Sequence, residues 1–268
     1  MPARDAHIAR KRFGQHFLVD SFVIDEIVNL ISPTSTDCIL EIGPGGGVLT
    51  EHLLASGAEL LAVEIDRQLA AQLEERFAGA AGFTLHTGDI LRFDFERLGG
   101  RARTWKVCGN LPYNISTPLI ARLLEHAFLF SCMILMLQKE VAERLCAEPG
   151  TKAYGRLSVI IQHRCDVIQH LDIGPESFKP PPRVDSAVIE IRPREDPGDA
   201  GFERCLADLV RTAFSTRRKT LANTLGAHVS AADFARCEID PRGRAEKLSV
   251  ENFVCLARTI YKRKPHGA

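Results

Sequence analysis

The chain has 268 residues, 45% hydrophobic and 25% charged, enough for one sizeable core and a small second domain. Its 34 basic and 34 acidic residues cancel, and no run of about 18 uncharged apolar residues occurs, which argues against a helical membrane span. The basic start (Arg4, Arg10, Lys11, Arg12) runs into Gly14-Gln15-His16 rather than an apolar leader core, so a cytoplasmic protein is expected.

In chain order, Val23, Ile24, Ile27, Val28 and Ile31 follow helical spacing until Ser32-Pro33 stops them. Strand-like apolar runs then fall at 38–42, 60–65, 83–86, 105–108 and 133–137. Helical patterns lie between them, such as Leu69, Leu73 and Phe77, or 119–124. This alternation predicts right-handed crossovers and a mostly parallel, doubly wound α/β sheet. A helical stretch near 157–161, the rigid Pro180-Pro181-Pro182 and a last alternating strand over 187–191 follow. The breaker-rich Pro193–Gly201 reads as a linker, which sets the expected domains at 1–193 and 202–268 with 194–201 between them. Beyond it, Phe202, Cys205, Leu206, Leu209, Val210, Ala213 and Phe214 make one helical face, and Val250, Phe253, Val254, Ala257, Ile260 and Tyr261 another. The second domain is therefore expected to be small and all-helical.

Charge is divided unevenly between these parts. Residues 1–193 hold 20 Lys+Arg against 24 Asp+Glu, whereas 194–268 hold 14 against 10, so the C-terminal part is the basic end. The eight cysteines (38, 108, 132, 146, 165, 205, 237 and 255) show no C-x-x-C pair and no metal-finger spacing. They are expected to be reduced core residues, with no metal site.

The first strand closes on Glu41-Ile42-Gly43-Pro44-Gly45-Gly46-Gly47, a glycine-rich turn that lets backbone approach a ligand at the carboxyl edge of the sheet. A dinucleotide fingerprint needs a small residue where Val48 stands, so that reading fails at its third glycine. Glu64, at the end of the second strand, can accept both hydroxyl hydrogens of a ribose, and Asp89, at the end of the third, can accept from an adenine amine. In this order the three strand ends make an adenosyl pocket. It needs no phosphate cradle if the cofactor carries a sulfonium and an amino acid.

Strand four ends in Gly109-Asn110-Leu111-Pro112-Tyr113-Asn114. An aromatic N6 amine is a poor nucleophile because its lone pair is delocalised into the ring. The Asn110 side-chain oxygen and the Leu111 carbonyl can accept its two hydrogens and free that pair for in-line attack on a methyl group. Tyr113 offers a face on which an extruded base can stack.

These residues belong to longer motifs: KRFGQHFL (11–18), the 41–47 loop, NLPYNIS (110–116), LQKEVAERL (137–145), YGRLSV (154–159), FKPPPRVDSAV (178–188) and FSTRRKTLANTL (214–225). Together they resemble the KsgA-type dimethyladenosine transferases over nearly the whole chain. The resemblance implies a Rossmann-like class I methyltransferase sheet, mostly parallel with the last strand antiparallel, and S-adenosyl-L-methionine as cofactor. It further implies cofactor contacts from His16, Leu18, Gly43, Glu64, Asp89 and Asn110, with Asn110, Leu111, Tyr113 and Phe178 around the target adenine. His16 departs from members that carry Asn there. Phe178 and Tyr113 would sandwich the flipped base.

The substrate implied is 16S rRNA in a partly assembled small ribosomal subunit, at two adjacent adenosines of its 3'-terminal hairpin loop, giving N6,N6-dimethyladenosine. Thr216-Arg217-Arg218-Lys219 reads as a continuation of the first C-terminal helix. With the N-terminal arm and Arg258, Lys262, Arg263 and Lys264, it supplies basic groups for RNA phosphates. A monomer is expected because no extended apolar face is left over. The alternatives are an enzyme that dimethylates large-subunit rRNA, disfavoured by YGRLSV and FKPPPRVDSAV, and a methyltransferase-like assembly or transcription factor, disfavoured by intact Glu64, Asp89 and Asn110.

Overall fold

A computed structural model describes residues 15–99, 103–194 and 199–263; the N-terminal arm and Lys264 lie outside these. The chain packs as two units, one of residues up to 142 together with 168–193, the other of 143–167 together with the residues from 194 onward.

The first unit begins with a two-residue strand, β1 (Phe17–Leu18), and helix α1 (Ser21–Ile31). The Asp20 carboxylate caps α1 by accepting from the Phe22 and Val23 amides, and Val23, Ile24, Ile27 and Ile31 form its buried face. The expected alternation follows as β2 (Cys38–Ile42), α2 (Val48–Ala55), β3 (Glu59–Glu64), α3 (Arg67–Arg76), β4 (Phe83–Thr87), β5 (Trp105–Asn110), α4 (Ser116–Glu125) and β6 (Phe130–Gln138). Helix α5 (Lys139–Cys146) leads out of this unit to helix α6 (Arg156–Arg164) of the second, and strands β7 (Cys165–Ile173), β8 (Phe178–Lys179) and β9 (Ser186–Pro193) follow. The seven-stranded sheet has the order β4-β3-β2-β5-β6-β9-β7. Neighbours from β4 to β6 are parallel, and β9 runs antiparallel to β6 in a register from Met133↔Ile191 to Gln138↔Ser186. Four of the five β2 residues are buried, as the central strand of a parallel sheet covered on both faces requires.

Two elements of this unit escape the sequence reading. Strand β7 alternates in burial, with Cys165, Val167, Leu171 and Ile173 on the inner phase, but Ile168 falls on the exposed phase and Gln169 on the inner one, which interrupts the apolar pattern at its centre. Strands β1 and β8 pair antiparallel, Phe17↔Lys179 and Leu18↔Phe178, far too distant in sequence for any local pattern to announce.

The second unit contains α7 (Ala200–Ala213), α8 (Leu221–Leu225), α9 (Ala231–Arg236) and α10 (Val250–Tyr261). Capping boxes start α9 (Ser230 with Asp233) and α10 (Ser249 with Asn252). Its core joins Phe202, Leu206, Val210, Phe253 and Leu256 to Ala147, Tyr154 and Val159. Segment 143–167 therefore belongs here, not to the domain ending at 193. Tyr154 buries an aromatic face in this core while its hydroxyl donates to the Leu248 carbonyl at 2.9 Å. The expected linker also ends earlier, because Asp199 already caps α7; residues 195–198 lie outside the described ones.

Two further expectations are corrected. Helix α7 ends at Ala213, so Thr216–Lys219 occupies a turn instead of prolonging the helix, and Arg217 is tied by its guanidinium to the Lys152 carbonyl at 3.0 Å. Cys237 and Cys255 form a disulfide and are not free thiols. No described helix is long and apolar enough to cross a membrane.

Candidate active site at the carboxyl edge of the sheet

The ends of β2, β3 and β5, the turn after β4, and the segment 15–19 line a cavity of about 240 Å³. Parallel strands place all their carboxyl ends at one edge, where the loops must open outward to reach the next helix. Gly43, Gly45 and Gly47 all have positive φ, which turns the chain sharply from β2 into α2. At Gly47 the requirement is double, since a Cβ would also lie 2.9 Å from Leu73 Cδ2. Gly109, on β5, passes so close to β2 that a Cβ there would lie 2.4 Å from the Ile42 carbonyl oxygen.

Glu64 ties the glycine loop to the next strand: its Oε2 accepts from the Gly45 amide at 3.1 Å and its Oε1 from the Asp66 amide at 2.8 Å. Burial pushes this carboxyl above its usual range, and the two amide bonds counter the shift. Each oxygen keeps a lone pair for a further donor. Asp89 accepts from the Leu91 amide at 2.9 Å through Oδ1, the cap of a single 3₁₀ turn.

The Asn110 Nδ2 donates to the His16 carbonyl oxygen at 2.9 Å, which leaves Oδ1 as the acceptor of that amide. The Leu111 amide continues the sheet by donating to the Met136 carbonyl at 2.9 Å. Tyr113 is held at its far end by a 2.8 Å bond between its hydroxyl and Ser186 Oγ at the start of β9. The His16 ring stacks beside it, with centroids 5.8 Å apart and planes 23° apart, while His16 Nδ1 donates to the Pro180 carbonyl at 2.8 Å.

His16, Leu18, Gly43, Glu64, Asp89, Asn110, Leu111 and Tyr113 thus all line one cavity. Phe178 does not. Pairing of β8 with β1 turns its ring into the core with Leu18, Val23, Ile27 and Ile173, and only 4% of it is exposed.

One lining residue was not singled out from the sequence. The Glu41 carboxyl is fully buried beneath the glycine loop and accepts from Thr50 Oγ1 at 2.7 Å. Burial, augmented by the nearby Glu64 charge, pushes it up to about 7 against the opposing Thr50 bond. Its signal was available: a carboxylate inside an otherwise apolar strand must have a buried partner.

Ribosomal RNA adenine dimethylase is the family whose description matches residues 6–262. The chain belongs to this family. It is 50% identical over 252 residues to the Ribosomal RNA small subunit methyltransferase A of Pseudomonas fluorescens, covering 94% of this chain and 93% of the relative. Its identity to the protein of the same name from Methylococcus capsulatus is 47%, covering 95% and 98%. A crystal structure of a dimethyladenosine transferase from Plasmodium falciparum matches with TM-score 0.78 at 27% identity, over 92% of this chain and 98% of that one. The 23S rRNA methyltransferase ErmE shares the fold, with TM-score 0.75 at 22% identity, over 91% and 99%.

The family's cofactor is S-adenosylmethionine, and the lining fits it. Glu41, Glu64 and Asp89 bring three carboxylates, and no lysine or arginine is among the described lining residues. Such a donor set would repel a diphosphate and suits a ligand carrying a sulfonium and an ammonium.

Proposed function

We propose that this chain dimethylates N6 of two adjacent adenosines in the 3'-terminal hairpin loop of 16S rRNA, acting as a cytoplasmic monomer on a partly assembled small subunit. The class of reaction follows from the family: the chain is an S-adenosylmethionine-dependent rRNA adenine dimethyltransferase. The observation that carries the mechanism is the committed Asn110 amide nitrogen, which orients Oδ1 as an acceptor beside the cavity.

Bound S-adenosylmethionine supplies an electrophilic methyl group. Glu64 would hold the ribose hydroxyls, Asp89 the exocyclic amine of the cofactor adenine, and Gly43, Leu18 and the His16 backbone the remaining walls. The Asn110 Oδ1 and the Leu111 carbonyl would accept the two hydrogens of the target amine, drawing its nitrogen towards tetrahedral geometry. Tyr113, anchored by Ser186, would stack on the extruded base. Phe178 would complete that stack only after leaving its place beside Leu18.

No general base is required. An attacking N6 becomes cationic, and its proton is then acidic enough to pass to water. The neutral Asn110 amide can accept from an amine with two hydrogens and then from a monomethylated amine with one, without a charge that would trap the product. An unpaired loop suits a pocket that the base must enter unstacked.

Relatives with about half their residues identical carry a small-subunit name, which favours this substrate over large-subunit rRNA. The test is transfer of tritiated methyl groups to small subunits from an unmethylated strain, followed by mass spectrometry of digested rRNA. Product stopping at monomethyladenosine under saturating cofactor, or label absent from 16S rRNA, would refute the reading.

A further inference from the structure

A slot for an extruded base needs two walls, and only one of the two aromatic residues assigned to it by motif stands at the cavity. Tyr113 lines it, whereas Phe178 is buried beside Leu18 and held there by the pairing of β1 with β8. To reach the slot, Phe178 has to break the Leu18↔Phe178 pair and leave a hole among Leu18, Val23, Ile27 and Ile173. The ring that already stacks with Tyr113 on the cavity lining belongs to His16.

His16 is fixed through both its backbone and its ring. Its carbonyl oxygen accepts from Asn110 Nδ2 at 2.9 Å, and its Nδ1 donates to the Pro180 carbonyl at 2.8 Å. The next residue, Phe17, enters the ladder opposite Lys179, so both ties lie at the root of β1 and β8. Tyr113 is anchored in turn by Ser186 Oγ at 2.8 Å, which leaves two tethered rings with planes 23° apart and centroids 5.8 Å apart. A base between two rings needs them about 7 Å apart, twice a carbon contact distance of about 3.5 Å. Against the observed 5.8 Å, the imidazole has to give way by at least about 1 Å, pivoting on a single hydrogen bond. Phe178 would have to break backbone pairing instead.

We propose that the His16 imidazole is the second wall of the adenine slot, stacking on the target base opposite Tyr113 in the place that the FKPPP motif reserves for Phe178. The backbone of His16 orients the Asn110 acceptor while its ring clamps the base that carries the amine. The ligand class is an unstacked purine, and histidine is among the side chains on which such bases stack. Members of the family with Asn at this position lack the ring, so the assignment is particular to this sequence. It rests on the rRNA adenine reading above and deepens it.

The test is the single-turnover rate of methyl transfer at saturating small subunits and cofactor. Contacts remote from the slot hold the RNA whether or not its base is extruded, so a lost wall lowers the extruded fraction and hence this rate. His16→Asn keeps a polar side chain and the backbone but removes the ring; it should lower the rate about tenfold, the effect of one lost stacking contact. Its thermal midpoint and cofactor affinity by calorimetry should match the parent, because the cofactor wall at His16 is backbone. His16→Phe restores an aromatic face without the Pro180 bond and should recover the rate to within about threefold of the parent. In a Tyr113→Ala background, His16→Asn should lower it again by at least about threefold. Phe178→Leu, assayed below its thermal midpoint, should lower it less than His16→Asn does.

A His16→Asn rate within about twofold of the parent overturns the proposal. So does a His16→Phe rate as low as that of His16→Asn, which would assign the effect to the Pro180 bond. Absence of a further loss in the Tyr113→Ala background also overturns it, by reducing His16 to a support behind Tyr113, and a larger loss from Phe178→Leu returns the second wall to Phe178. Failure of the parent chain to label 16S rRNA strikes the rRNA reading, and the proposal falls with it; a labelled parent with indifferent His16 variants strikes the proposal alone.

Discussion

The side-chain nitrogen of Asn110 is bonded to the carbonyl oxygen of His16, 94 positions earlier, and this bond decides which face of the amide is available to a substrate. Asn110→Ala removes both ends and should lower methyl transfer by about 10²- to 10³-fold, as loss of one positioned polar group does elsewhere. Asn110→Asp keeps an acceptor but sets a carboxylate against a carbonyl, so it should also fail. Single-turnover transfer to unmethylated small subunits distinguishes them: near-parental rates for Asp would mean that acceptance alone suffices.

Glu64 braces the glycine loop through the Gly45 and Asp66 amides, and the proposed ribose contact would fall on the same carboxylate. Glu64→Gln should weaken S-adenosylmethionine binding about 10- to 100-fold, the range of a lost charge-assisted hydrogen bond. Titration calorimetry reads this directly. Unchanged affinity would remove Glu64 from the ribose role.

Glu41 makes stability depend on pH in a defined direction. Its folded-state value of about 7 lies above the ordinary 4.5, so the folded protein holds this proton more tightly than the unfolded chain. The stabilisation is fully present below about pH 4.5 and is lost as pH rises through 7, a change of about 3 kcal/mol. Glu41→Gln should flatten that part of the profile. Urea unfolding at pH 5 and pH 8, with equal differences between parent and variant at both, would show that Glu41 does not titrate there.

Tyr113 offers a split between ring and hydroxyl. Tyr113→Phe loses the Ser186 bond and should cost about 1 kcal/mol of stability while keeping transfer within a few fold. Tyr113→Ala loses the stacking face and should lower kcat/KM by about 10- to 100-fold. Equal activity losses in the two variants would point to the hydroxyl as the active group.

Gly109→Ala should destabilise the fold by about 1–3 kcal/mol, because its Cβ meets a backbone carbonyl that cannot swing aside. A thermal midpoint equal to that of the parent chain would show that β2 and β5 can separate without penalty.

The order of these elements was readable because each parallel strand is an apolar run and each turn at its end has a distinctive residue. Gly43, Glu64, Asp89 and Asn110 converge for that reason alone: topology puts every strand end on one edge. What could not be read depends on contacts between distant, short segments. The burial of Phe178 follows from two residue pairs across some 160 positions, and the FKPPP motif contains nothing that specifies it. The Cys237–Cys255 pair spans 18 residues without a motif. Helices α8 and α9, of five and six residues, are too short for periodicity to identify. Segment 143–167 joined the other unit through Ala147, Tyr154 and Val159, apolar residues that would suit either core.

The reversed direction of β9 has its own consequence. A parallel strand would deliver its last residue to the ligand-binding edge, but β9 delivers its first, Ser186, opposite Gln138 at the end of β6. Six consecutive pairings measure out that placement, from Met133↔Ile191 to Gln138↔Ser186. A slip of two residues would preserve which side chains are buried, yet carry Ser186 about 7 Å along β6 and out of reach of the Tyr113 hydroxyl. The ladder therefore acts as a gauge: alignment errors tolerated by the core would still release the ring on which the base is expected to rest.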